Sequence, residues 1–423
     1  MTLRPSVDLS GPAGPDSPRT LRSPAAVPAA RSDEEIRAER RAWVVIWLAF
    51  ATFCLLAGST AKVAVDYVAT ADMHISATVE VPRGNVFVQS PGGSARYQLA
   101  SSQLDVGSIV MPDRAASVRL RLLDSSAVNV LAGAKIELAR MDVGRFINRR
   151  TIEIRQFAGP VHYETVDEVQ VVTPGGTVHA KGSGVTVWVQ GERTKVLVYS
   201  GEVRVDVGGG VSQVVTSDQR ADFGTDHKIG VGDRAEQLLQ NGDFAQQDQD
   251  WQTHDVQTGP RDVDGLRYWT DGPVVAGVQT PALRIVRTSI ADAHGETGLT
   301  QKMNLDVSGY RNLWLRAWVR VDSQKLSGGG QGGSEYPLMF VLKYEGSAEN
   351  SQPGWNHGFY IGNWENRPVP WGQQIEAGTW IEYEVDLMTQ SEAYRPYRIT
   401  ELSVMGQGHS YDSRVADVRL VAE

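Results

Sequence analysis

Residues 184–207 read GVTVWVQGERTKVLVYSGEVRVDV. Val185, Val187 and Val189 alternate with Thr186, Trp188 and Gln190. Val196 and Val198 alternate with Lys195, Leu197 and Tyr199, and Val203, Val205 and Val207 with Glu202, Arg204 and Asp206. Successive side chains of an extended backbone point to opposite faces, so a valine at every second position predicts strands with one buried face. Gln190-Gly191-Glu192 and Ser200-Gly201 supply glycine where a tight reversal needs positive φ. The stretch is therefore expected to hold three strands joined by two turns.

The same alternation extends upstream. It appears in Thr78–Val81, Asn85–Val88, Val118–Leu122, Ala127–Leu131 and Lys135–Leu138, with Pro82-Arg83-Gly84 as one break. Arg119, Arg121, Arg204 and Asp206 occupy alternate positions, which marks a wetted face. Short β-branched runs between glycine turns predict an all-β domain over residues 75–225.

Several phrases here resemble the FecR domain family. They are Asp105-Val106-Gly107-Ser108, Val171-Val172-Thr173-Pro174-Gly175-Gly176, Gly182-Ser183-Gly184-Val185 and Tyr199-Ser200-Gly201-Glu202-Val203-Arg204-Val205. The resemblance implies a β domain of the bacterial envelope and, in signalling members, control of a sigma factor by a cytoplasmic N-terminal region. Those members carry a helical cytoplasmic domain with tryptophans; this chain has no tryptophan before Trp43.

Downstream, residues 236–423 open with Leu239-Gln240-Asn241-Gly242-Asp243-Phe244 and Trp251, and close with Asp417-Val418-Arg419-Leu420. Between them lie alternating runs at Ala282–Ile285, Leu299–Met303, Tyr310–Val321, Gly378–Leu387 and Ile399–Met405. This order resembles carbohydrate-binding modules with the galactose-binding-like jelly roll. The resemblance implies that the last strand pairs beside the first. It also implies a possible structural calcium at Asp243 and Asp417, completed by further oxygens. The fold class expected is mainly β: one transmembrane helix, a FecR-like all-β domain and a β-sandwich jelly roll.

The most unusual stretch is GWNHGFYIGNWENRPVPW, residues 354–371. Trp355, Tyr360, Trp364 and Trp371 stand among Asn356 and Asn363. Sugar rings offer C–H faces that stack on indoles, while amides pair with hydroxyls, so this mixture suits a saccharide. The same aromatics equally suit a sandwich core or a braced loop. Arg316 and Arg320 alternate with Trp314 and Trp318, as cation–π pairs on a solvent face would. Ser327-Gly328-Gly329-Gly330-Gln331-Gly332-Gly333-Ser334 lacks the lysine and helix of a phosphate loop and reads as a flexible hairpin tip.

The N-terminal part differs in kind. Residues 42–61, AWVVIWLAFATFCLLAGSTA, contain no charge and no proline. Twenty residues in a helix span about 30 Å, the hydrocarbon thickness of a bilayer. A transmembrane helix is expected over residues 42–62. Thr52, Ser59 and Thr60 can return their hydroxyls to helix carbonyls. Arg37, Arg40 and Arg41 precede it and only Lys62 follows closely, so the N-terminus should be cytoplasmic and the β domains extracytoplasmic. The rival reading is a cleaved leader with its small-residue site at Ala69-Thr70-Ala71, late for such a site. Residues 1–41 form a proline-punctuated tail expected to be disordered, ending in a short juxtamembrane helix that Ser32 and Glu35 would cap.

Composition narrows the function. The 423 residues carry a net charge of −9 and a single cysteine, Cys54, inside the apolar segment. No intrachain disulfide is available, and an acidic exterior speaks against nucleic acid. The sequence contains no Gly-x-Ser-x-Gly, no His-Glu-x-x-His and no cysteine nucleophile outside the apolar segment. The expectation is a single-pass cell-membrane protein, not an enzyme, that contacts a polysaccharide or envelope protein through its C-terminal part. The alternative is an anti-sigma-like transmembrane signalling protein.

Overall fold

The structure, a computed structural model, describes residues 33–423 except 71, 99–100, 115, 123–124, 145–149, 258–264, 290–292, 347–353 and 390–394. The expected disordered tail, its Ser32 cap and Ala71 of the leader reading lie outside the described residues. The chain forms two compact units, Met1–Ala69 and Thr70–Glu423.

The first unit is built on one helix, Asp33–Thr70. Its segment Arg37–Val68 is long and apolar enough to cross a membrane. The helix has 38 residues and is thus about 57 Å long, nearly twice a bilayer's hydrocarbon thickness. Hydropathy marks the part suited to lipid, not the helix ends, so residues 42–62 are the middle of a longer rod. Thr52 donates to the Leu48 carbonyl at 2.8 Å, and Ser59 and Thr60 each donate to that of Leu56 at 2.9 Å. These bonds satisfy the polar groups within the helix itself, as lipid requires.

The second unit is mainly β. Among the described residues between Asp72 and Asp233, sixteen strands join in one connected sheet. Its spine runs Ile229–Asp233, Gln219–Gly224, Arg193–Asp206, Gly176–Gln190, Val169–Thr173, Arg150–Glu164, Ala127–Val130, Ser117–Arg121, Ala77–Arg83 and Ser102–Leu104. The inward valines of the opening stretch, among them Val185, Val187, Val196, Val198 and Val205, share one buried core with Leu120, Ile136, Leu138 and Ile154.

The expected turn at Ser200-Gly201 is not a turn. Lys195–Tyr199 and Glu202–Asp206 are halves of one strand, Arg193–Asp206, paired along its length with Gly176–Gln190. Gly201 (φ +73°) lies against Gly182 (φ +57°), and the register slips between Lys181 and Gly184. A Cβ on Gly201 would fall 2.6 Å from the Gly182 carbonyl oxygen. Positive φ on both strands at one level bends the pair together as a bulge and does not reverse either. Gly191 (φ +63°) does close its hairpin.

Only Arg234 and Ala235 separate this sheet from the next strand, Glu236–Gln237. From there the chain forms a sandwich of two antiparallel six-stranded layers, apart from one short parallel edge pair. The first layer orders Leu266–Val275, Val278–Arg287, Tyr411–Ala422, Leu313–Gln324 and Ile381–Asp386, with Glu236–Gln237 against Ala422 and Val421. First and last strands therefore pair, as expected. The second layer orders Gln252–Gln257, Gly295–Asp306, Pro396–Gly408, Leu338–Gly346, Gly354–Tyr360 and Gly372–Gln374. Leu283, Leu315, Val319, Phe340, Leu402, Val404 and Val415 fill the space between.

The glycine-rich segment is also not a hairpin tip. It crosses from one layer to the other, between Leu313–Gln324 and Leu338–Gly346, and Ser327, Gly328, Gly329 and Gly330 are buried. Small residues are needed because the segment passes under the Asn363 and Tyr336 side chains, each within 3 Å of where a Cβ would stand.

The sheet and the sandwich meet in a buried seam. Trp188 and Leu197 face away from the valine core of their own sheet and belong to the core of the sandwich. Trp188, 2 % exposed, meets Tyr310 edge to face with centroids 5.4 Å apart. It rests on the backbone of Gly309, where a Cβ would come 2.5 Å from the indole. Beside it Lys195 donates to Glu236 (2.7 Å) and to the Tyr310 hydroxyl (2.9 Å), which itself donates to Glu236 (2.8 Å). Burial alone would raise the Glu236 carboxyl, but the Lys195 bond and charge outweigh it and hold the group below the usual carboxylate range. Tyr199 lies between two guanidinium groups, Arg311 at 4.0 Å and Arg234 at 4.8 Å from its ring centroid.

Trp188→Ala should cost about 3–5 kcal/mol of stability, the range for a buried large aromatic. Gly309→Val should be damaging for the same reason, by pushing the indole out. Because the two residues touch, the double variant should lose less than the two single losses combined. Denaturant unfolding of the full chain in detergent measures this, and strictly additive losses would mean that the two side chains do not meet.

Candidate functional site

The aromatic stretch begins on a strand, and its alternation decides where each side chain goes. In Gly354–Tyr360, Trp355 and Phe359 pack toward the sandwich core. His357 stacks on Tyr383 at 4.6 Å and 20°, and Trp355 on His357 at 5.9 Å and 7°. Burial pushes the His357 imidazole down, so it packs as a neutral ring. Asn356 and Tyr360 project to the opposite, outer side. There Tyr360 is buried in a second small cluster with Tyr336, Met339 and Met405. The Tyr336 ring lies over Gly358 and its cross-strand partner Gly372, where a Cβ on Gly358 would sit 2.2 Å from the ring.

The loop that follows is held by a dense set of bonds. Asn363 donates to the Arg367 carbonyl (2.9 Å) and accepts from the Arg367 amide (2.8 Å) and the Ser327 hydroxyl (3.1 Å). The Glu365 amide donates to Ser327 (2.8 Å), and the Gly328 amide to the Gly362 carbonyl (2.9 Å). The glycine-rich crossing is thus the floor on which the loop rests. This frame presents two indoles to solvent, Trp364 at 60 % exposure and Trp371 at 45 %. The six expected site residues therefore divide. Trp355 and Tyr360 pack on opposite sides of one strand, Asn363 braces the loop, and Trp364 and Trp371 are free to meet a ligand. Asn356 is half-buried, and no donor among the described residues reaches its Oδ1.

The outer side of the same layer is polar. Thr300 and Ser403 bond at 2.7 Å, and Lys343 pairs with Glu401 at 2.7 Å. His254 contacts Glu296 at 2.7 Å, His294 lies 3.8 Å from Glu296, and His294 reaches Glu335 at 2.5 Å. The His254 bond, working against burial, holds the Glu296 carboxyl below its ordinary range. This acid–imidazole row was not anticipated. Only the two-residue spacing of His294 and Glu296 is local; His254 and Glu335 arrive from other parts of the chain.

The other layer carries Trp314, Arg316, Trp318 and Arg320 on its outer face, all half-exposed. Arg316 lies 5.6 Å over Trp314, the cation–π contact expected, and also bonds Glu384 at 2.5 Å. Arg320 instead pairs with Asp322 at 2.6 Å. Asp417, in the left-handed region at φ +49°, accepts from Arg419 at 2.8 Å. Asp243 is exposed and accepts from the Ala245 amide at 3.2 Å. A cation at Asp417 would compete with the Arg419 guanidinium. Among the described residues, no group of three His, Cys, Asp or Glu side chains is placed to hold a metal. A cleft of about 740 Å³ lies elsewhere, on the first sheet between Glu192, Arg193, Lys195, Asp222, Asp226 and Lys228.

No protein-family model and no curated protein sequence matches the chain. Among solved structures it is similar to a candidate anti-sigma factor from Parabacteroides distasonis, at 15 % identity over 30 % of this chain and 59 % of that one, with a TM-score of 0.25. It is also similar to the family 11 carbohydrate-binding module of the cellulosomal cellulase Lic26A-Cel5E of Clostridium thermocellum. That likeness has 10 % identity over 45 % of this chain and 95 % of the module, with a TM-score of 0.26. A third is TmCBM61, solved with β-1,4-galactotriose, at 13 % identity over 44 % and 99 % of the two chains and a TM-score of 0.24. Likenesses this weak say nothing of function.

Asn363→Ala should loosen the loop without touching either indole. The loss of its part-buried bonds predicts about 1 kcal/mol of lost stability. Faster amide exchange at Arg367 and Glu365 should accompany it, while Trp355–Phe359 stays protected. Unchanged exchange at Arg367 would contradict the bracing role.

Proposed function

We propose that this chain is a membrane-anchored binding protein whose C-terminal sandwich holds a carbohydrate polymer on the extracytoplasmic side. The observation that carries this reading is the braced loop 361–371, whose part-buried hydrogen bonds hold Trp364 and Trp371 in water. Exposed indoles cost solvation and are kept where something stacks on them. On the outer side of the same layer the half-buried Asn356, whose Oδ1 has no donor among the described residues, suits a hydroxyl-bearing ligand. The role is binding and not catalysis, and the Asp33–Thr70 helix is the anchor.

A glycan array probed with the full chain in detergent tests the proposal. Trp364→Ala and Trp371→Ala should each weaken binding about tenfold, the loss of one ring contact. Trp355→Ala should act on stability instead, because that ring faces the core. Absence of any glycan signal, or equal binding by the double variant W364A/W371A, would remove the proposal.

The second reading is transmembrane signalling of the anti-sigma kind. It draws on the seam, which ties the sandwich to the sheet that follows the membrane-suited helix. Co-purification of a sigma factor with the full chain, lost on deleting residues 1–32, would favour it over a purely adhesive role.

A further inference from the structure

His162 lies on the strand Arg150–Glu164, on the side of the first sheet that faces the sandwich. Cross-strand pairing sets it in a row with Asn129 and Thr186. It is 9 % exposed, its Nδ1 contacts the Thr186 hydroxyl, and the Tyr199 ring stands edge-on at 6.5 Å. The charged groups around it come from both sides of the seam. Arg311 covers Tyr199 at 4.0 Å, Arg234 covers it at 4.8 Å, and Arg395 donates to the Tyr310 carbonyl at 3.1 Å. The nearby acids are engaged by other cations: Glu164 by Arg119 (3.7 Å), Glu236 by Lys195 (2.7 Å) and Glu423 by Arg234 (4.0 Å). Among the described residues no carboxylate bonds the His162 ring. The site fits a neutral imidazole; a charged one would be buried with no carboxylate partner among the described residues.

We propose that the seam between the first sheet and the sandwich is an acid-sensitive latch, loosened when the buried His162 is protonated beside the Tyr199 ring and its two arginines. Burial first, then the charges of Arg311 and Arg395, push the imidazole from 6.5 down to about 3 while the seam is closed. Once the two parts separate, water reaches the ring and its value returns toward the ordinary one. The closed form then holds fewer protons than the open form between pH 6.5 and about 3. Acid therefore favours opening, by about tenfold in the closing equilibrium per pH unit below 6.5. At pH 5 the closed form is weakened about 30-fold.

The test uses the full chain in lipid nanodiscs, with Cys54→Ala and spin labels at the exposed positions Gln213→Cys and Glu376→Cys. Double electron–electron resonance between the labels reports the distance from sheet to sandwich. The expected result is one narrow distance at pH 7.5, a longer and broader population growing toward pH 5.0, and no such growth in His162→Gln. A native distribution unchanged at pH 5.0, or equal broadening in His162→Gln, overturns the proposal. If His162→Gln is already broad at pH 7.5, amide exchange in the native chain decides. A loss of protection of about 30-fold for residues 307–312 at pH 5.0, corrected for intrinsic rates, supports the latch, and unchanged protection overturns it.

Discussion

One indole seated on one bare backbone joins the first sheet to the sandwich. Trp188 leaves its own sheet, and the space it enters exists because position 309 has no side chain. Burying such a ring is worth several kcal/mol, but only when its shape is matched. Around it polar groups are answered in turn: Lys195 by Glu236 and Tyr310, and the Tyr199 ring by two guanidinium groups. The two-residue connection, Arg234 and Ala235, keeps the partners at high effective concentration, so the contact need not be large to stay closed.

The sandwich applies the same economy to its aromatic loop. Glycines at 328–330 and 333 let the inter-layer crossing run beneath the loop, and Asn363 clasps Ser327 and Arg367 across the gap. Tyr336 finishes the arrangement by lying flat over two glycines of neighbouring strands. Rigid support of this kind is what a stacking platform needs, because a mobile indole would lose entropy on meeting its ligand.

Much of this was legible in the residues themselves. Valine alternation located the strands of 184–207, the apolar run located the helix, and the pairing of Glu236–Gln237 with Val421 and Ala422 followed from the jelly-roll resemblance. The alternation within 354–360 also contained the answer for Trp355 and Tyr360, since an odd and an even position cannot share a face. What stayed hidden was non-local. Gly201 reads as a turn unless Gly182 is known to stand opposite it. Trp188 visibly lies off the valine face, but its seat is more than a hundred residues away. The row of His254, Glu296, His294 and Glu335 likewise draws on strand neighbours and a distant loop, which no local spacing reveals.

The brevity of the Arg234-Ala235 connection has a mechanical consequence. Two extended residues reach only about 7 Å. A tug on the sandwich would therefore be felt by the strand Ile229–Asp233 with almost no slack, and the Trp188 contact would bear the strain before the backbone did. Sheet and sandwich are joined less like beads on a flexible tether than like a strut with a pinned joint.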